Sequence, residues 1–132
     1  MLKKAIIFTD GTAEPNPGQG AIGAVIKDEQ GKPIASISEA IGLATNNQAE
    51  YRAIIAALKK AASLGINQVD IRSDSELVVN QINGRYRVKN AALKPLFQQV
   101  RQLKDRMKGF TITHIPRRQN READSLASTA LR

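Results

Sequence analysis

The order of the periodic segments leaves this chain few folds. Three β-rich runs come first, Lys3 to Asp10, Ala21 to Lys27 and Lys32 to Ile41. The first is apolar on both faces through Ala5, Ile6, Ile7 and Phe8, as a central strand would be. Asp28-Glu29-Gln30-Gly31 has the composition of a tight turn, so the second and third runs read as an antiparallel hairpin. A helix over Thr45 to Leu64 follows, because Ala53, Ile54, Ala57, Leu58, Ala61 and Leu64 recur at helical spacing. Thr45 and Gln48 make a capping box at its start, and Gly65 is a stop.

Val69 to Arg72 reads as a fourth strand, and Ser73 and Glu76 offer a second capping box before a short helix ending near Asn83-Gly84. Leu93, Leu96, Phe97, Val100, Leu103 and Met107 mark an amphipathic helix, Phe110 to Ile115 a fifth strand, and Asn120 the cap of a last helix through Leu131. The order β-β-β-α-β-α-α-β-α predicts an α/β fold with a five-stranded mixed sheet. Three strands are antiparallel, two are added in parallel by crossovers, and helices flank the faces. With 132 residues, no internal repeat and no linker, the chain is expected to form one domain over residues 1–132.

Composition narrows the chemistry. The chain has no cysteine, so thiolate nucleophiles, zinc–thiolate sites and disulfides are excluded. No run approaches a membrane span, and the opening residues do not build a signal-peptide core, so a soluble, cytoplasmic monomer is expected. Twenty bases against twelve acids give a net charge of +8, which favours a polyanionic partner.

Against that background the placement of the acids matters. Asp10, Glu50, Asp74 and Asp124 each sit where a strand is expected to end or a helix to begin. Singly, each has an ordinary reading as a turn residue or a helix-start acid. Together they do not, because parallel first and fourth strands bring Asp10 and Asp74 out at one edge of the sheet, within reach of Glu50 on the crossover helix. Carboxylates so grouped repel one another unless cations occupy the site, and hard, oxygen-loving ions such as Mg²⁺ suit them.

Two motifs point elsewhere and fail on context. Gly18-Gln19-Gly20-Ala21-Ile22-Gly23 satisfies G-x-G-x-x-G, but a strand follows it where a dinucleotide site needs a helix. Phe8-Thr9-Asp10-Gly11-Thr12 resembles the D-x-D-G-T signature of haloacid-dehalogenase-type phosphatases, but Phe8 stands where that family has its nucleophile.

Five ordered blocks do agree with one family. Asp10-Gly11 with Asn16-Pro17-Gly18 and Gly23, Thr45-Asn46-Asn47-Gln48-Ala49-Glu50, Ser73-Asp74-Ser75, His114, and Asn120-Arg121-Glu122-Ala123-Asp124 with Leu126-Ala127 together resemble type 1 ribonuclease H. The resemblance spans nearly the whole chain. It implies an RNase H-like catalytic domain that cuts the RNA strand of RNA–DNA hybrids endonucleolytically, leaving 5′-phosphate and 3′-hydroxyl ends. It further implies two Mg²⁺ ions, with Mn²⁺ as a substitute, held by Asp10, Glu50, Asp74 and Asp124. Two ions roughly 4 Å apart can activate water on one side of phosphorus and stabilise the leaving oxygen on the other.

By the same resemblance Gly11, Asn16, Thr45, Asn46, Asn47 and Gln48 would contact the hybrid through its minor groove, the surface on which A-form-like duplexes are read. His114 and Arg117 are both candidates for the helper on the loop before Asp124. The chain departs from the family pattern at Glu76, where glutamine is frequent, and in lacking the tryptophan-containing basic protrusion. It resembles the compact branch, so duplex affinity would fall to Arg85, Arg87, Lys89, Lys94 and Arg117-Arg118, and RNA–RNA duplexes are a further possible substrate. A non-catalytic binding module and an exonuclease on a related fold are the rival readings. The first is disfavoured because all four carboxylates are present.

Overall fold

The computed structural model describes residues 4–132; Lys3, where the first strand was expected to start, lies outside them. Among the described residues, five strands form one sheet in the order β3-β2-β1-β4-β5. They are β1 (Lys4–Glu14), β2 (Gly18–Lys27), β3 (Pro33–Ala44), β4 (Gln68–Ser73) and β5 (Gly109–His114). β1, β2 and β3 pair antiparallel, and β4 and β5 add in parallel to β1, as the segment order predicts. The helices of the described residues are α1 (Asn46–Ser63), α2 (Glu76–Ile82), α3 (Lys94–Asp105) and α4 (Arg121–Ala130), with a 3-10 turn over Arg117–Gln119.

β1 alternates buried and partly exposed residues up to Thr9, and its buried members Ala5 and Ile7 join Ile71 of β4 under α1. There Ile54, Leu58, Val78 and Val100 are also fully buried. Tyr51 lies wholly inside this core, and its hydroxyl donates to Gln81 Oε1 at 2.7 Å, which ties α1 to α2. The other face of the sheet carries α4, packed on β2, β1 and β3.

Three boundaries differ from the sequence expectation by three residues or more, for one reason. β1 runs on to Glu14, β2 begins at Gly18 and β3 ends at Ala44, because Gly11 to Glu14 pair with Gln19 to Ile22, and Gly18 to Gly20 pair with Gly42 to Ala44. The glycine-rich stretch is therefore strand, and the ladder overrides the weak β-propensity of its residues. Asp10 consequently lies inside β1, one residue past the point where the parallel ladder with β4 ends at Thr9 and Ser73.

The Thr45–Gln48 capping box forms as expected. The Ser73–Glu76 box does not: Ser75 caps α2 by accepting from Val78 N, which leaves Ser73 Oγ to accept from Ser75 N at 3.1 Å.

Candidate active site

Two close approaches assemble the site. Asp10 on β1 faces Gly23 on β2, and the next pair is Gly11 with Ile22. A Cβ on Gly11 would overlap the backbone of Ala49 in α1, and one on Gly23 would overlap the Ala123 carbonyl in α4. Only glycine lets a helix come this near on each face. Those helices deliver the next residue in each case: Glu50 follows Ala49, and Asp124 follows Ala123. Gly11 N also donates to Glu50 Oε1 at 2.9 Å, which fixes that side chain over the end of the parallel ladder.

Asp74 enters from the turn after β4, beside Thr9 and Asp10. Carboxylate oxygens of Asp10, Glu50 and Asp74 all lie within 4.8 Å of one another. Asp124 shares their hollow of about 270 Å³, which Gly11, Thr12, Asn46 and Arg117 also line. A roomier apolar groove of about 680 Å³ between β3 and α4 holds Ile34 and Leu126, but it has no comparable cluster of carboxylates.

The electrostatics are those of a site short of positive charge. Asp10 is 6 % exposed. Burial first, then the charges of Asp74 and Asp124, raise its pKa from 3.8 to about 8, and Arg117 offsets only part of that. Glu50 is also held well above the ordinary range, by burial and then by Asp10 and Asp74, against the Gly11 hydrogen bond and Arg117. Four carboxylates in one hollow, two of them reluctant to ionise alone, are compatible with divalent metal binding.

The residues expected to contact a hybrid divide into two sets. Asn46 stands at the rim of the carboxylate hollow, while its Oδ1 accepts from Ala13 N at 2.7 Å and its own N–H donates to Asn16 Oδ1 at 3.0 Å. Asn16 and Asn46 thus join the β1–β2 turn to the start of α1, and Asn47 is exposed beside them. Thr45 and Gln48 are engaged with each other in the cap, Gln48 Oε1 accepting from Thr45 N at 2.8 Å.

His114 and Arg117 are separated. β5 ends at His114, which pairs with Ser73 and lines a different hollow with Glu76, Asn80, Asn83 and Arg85 beside α2. Arg117, in the 3-10 turn beyond the strand, lines the carboxylate hollow itself. Asn120, expected only to cap α4, sends its amide instead to Thr9 O and Asp74 Oδ2, which nothing in its local sequence foretells.

Residues 8–130 match the family described as reverse transcriptase-like. A curated relative, ribonuclease HI of Halobacterium salinarum, is 40% identical over 124 residues, which cover 94% of this chain. The chain spans only 62% of that relative's length. A crystal structure of RNase H1 from the same archaeon superposes with a TM-score of 0.95 at 39% identity, covering 97% of each chain. LC11-RNase H1 in complex with an RNA/DNA hybrid superposes with a TM-score of 0.90 at 41% identity, covering 97% of this chain and 99% of that one.

Proposed function

The chain belongs to the type 1 ribonuclease H family, and from that premise we propose that it hydrolyses the RNA strand of RNA–DNA hybrids endonucleolytically, leaving 5′-phosphate and 3′-hydroxyl ends. The observation that carries the reading is the convergence of Asp10, Glu50 and Asp74, with Asp124 in the same hollow, on one end of the parallel ladder. The hybrid bound to LC11-RNase H1, a neighbour with 41% identity, supports the choice of substrate.

Asp10, Glu50, Asp74 and Asp124 would hold two Mg²⁺ ions. Bound there, the ions would supply Lewis acidity to a water nucleophile and neutralise charge on the leaving oxygen. Asp10 and Asp74 flank the end of the parallel ladder and would be the central ligands. Glu50, anchored by Gly11 N, keeps its orientation without a cation. The raised proton affinity of Asp10 and Glu50 means that protons compete with metal, so occupancy of the site rises with pH.

Arg117 is the helper we assign to the loop, since it faces the carboxylates and His114 faces α2. Asn16, Asn46 and Asn47 form a polar ledge at the rim, suited to sugar hydroxyls in a minor groove. Arg85, Arg87, Lys89 and Lys94, all exposed between α2 and the start of α3, would meet backbone phosphate.

An internally labelled hybrid incubated with Mg²⁺, with Mn²⁺ or with chelator, beside DNA and RNA duplex controls, tests this. Cleavage of the hybrid's RNA strand with either ion and none with chelator is the expected result. Equal cutting of the DNA duplex, or cutting in chelator, contradicts it.

A further inference from the structure

Asn120 stands at the N-cap position of α4, yet its side chain makes no capping hydrogen bond. The residue is 1 % exposed, and its Nδ2 donates to the Thr9 carbonyl at 2.8 Å and to Asp74 Oδ2 at 3.3 Å. Both partners are acceptors, so the amide has one workable orientation; turned over, it would set Oδ1 against a carbonyl and a carboxylate. Oδ1 has no partner among the described residues. An asparagine at this position ordinarily accepts from the free N–H groups of the first turn. Here that bond is forgone for two acceptors on other elements.

Those acceptors are not arbitrary. Thr9 precedes Asp10, and it pairs with Ser73, which precedes Asp74. Asn120 also lies one turn before Asp124, whose N–H donates to the Asn120 carbonyl at 3.1 Å. One amide therefore links the three segments that carry Asp10, Asp74 and Asp124. It occupies a single lone pair of Asp74 and leaves the other carboxylate oxygen free. Outer partners of this kind hold a ligating carboxylate in one rotamer, and losing them typically costs 10–100-fold in metal affinity or activity.

We propose that Asn120 is a positioning residue that fixes the Asp74 carboxylate and its spacing from Asp10 and Asp124 for divalent-ion binding, and that it serves this role in place of capping α4. The inference rests on the proposed assignment of these carboxylates to divalent-ion binding, and on the proposed cleavage reaction for its turnover arm only.

Asn120→Ser is the discriminating variant, because serine caps helices about as well as asparagine but is too short to bridge Thr9 and Asp74. Calorimetric titration of the metal-free protein with Mg²⁺ should show affinity for Asn120→Ser about 10–100-fold weaker than wild type. Hybrid turnover at sub-saturating Mg²⁺ should fall by a similar factor, while KM for the hybrid changes by less than about threefold. A capping role predicts instead that Asn120→Ser matches wild type in both and that Asn120→Ala mainly lowers the melting temperature. Wild-type Mg²⁺ affinity in a folded Asn120→Ser variant overturns the proposal.

Should neither variant fold, the wild-type protein still decides. Its Asn120 side-chain amide protons should exchange slowly with solvent and shift on Mg²⁺ addition, and fast exchange with no shift overturns the proposal. If the wild type fails to cut hybrids, the functional reading falls, and the titration and the amide signals still judge Asn120.

Discussion

Replacing Asp10 by Asn should separate stability from function. In the metal-free protein, burial and the neighbouring Asp74 and Asp124 charges move the Asp10 pKa from 3.8 to about 8. A carboxyl that binds its proton more tightly when folded contributes stability that is fully present below its unfolded pKa of 3.8 and is lost as the pH climbs through about 8. At about 1.4 kcal/mol for each tenfold change in proton affinity, the displacement corresponds to several kcal/mol. Relaxation and water entry leave roughly 2–4 kcal/mol of that. Asparagine keeps the shape and carries no charge. Asp10→Asn should therefore stabilise the metal-free protein by about 2–4 kcal/mol at pH 8, roughly 8–15 °C in Tm, and by clearly less at pH 5. Urea unfolding followed by circular dichroism in chelator at the two pH values measures this. Added Mg²⁺ should then stabilise the wild type and leave the variant nearly unchanged. An equal gain at both pH values, or a loss at pH 8, refutes the assignment of Asp10 to a carboxylate cluster strained by its own charge.

Gly23→Ala forces a methyl group against the Ala123 carbonyl and Ala127 N, so it should cost about 1–3 kcal/mol in unfolding free energy and shift α4 with Asp124. A displacement of about 1 Å is enough for a roughly 100-fold loss of turnover, and full activity in a hybrid cleavage assay would show that α4 is not seated this closely. Arg117→Ala should lower kcat by about 10–100-fold, whereas His114→Ala should change it by less than about threefold; the reverse order would return the helper role to His114. If the exposed bases neutralise about three phosphates, raising salt from about 50 to 200 mM should weaken hybrid affinity roughly 30-fold, and Arg85→Ala with Arg87→Ala should flatten that slope. An unchanged slope would remove the loop from the interface.

The sheet and helices were legible because their apolar residues repeat at the right periods. Ile54, Leu58 and Ala61 mark the buried face of α1, and the order of segments dictates the antiparallel-then-parallel sheet. The continuation of β1 through Gly11 to Glu14 was not legible, since those residues have little β-propensity and are strand only because β2 pairs with them. Asp10 was accordingly expected at a strand end, when it is a ladder end that frees it. Asn120 was misjudged for a related reason: the local rule for helix starts predicted a cap, and two acceptors more than forty residues away in sequence outcompeted it. His114 and Arg117 could not be separated along the chain. The end of β5 at His114, beside α2, and the 3-10 turn that follows separate them in space.

The central claim is that four carboxylates gathered at one ladder end cut hybrid RNA internally with the help of divalent ions. Its most direct test is a hybrid whose RNA strand is blocked at both ends, incubated with wild type and with Asp10→Asn in Mg²⁺ and in chelator. The account predicts internal RNA fragments ending in 5′-phosphate and 3′-hydroxyl with wild type in Mg²⁺ alone. Fragments from Asp10→Asn at the wild-type rate, or from wild type in chelator, would contradict it.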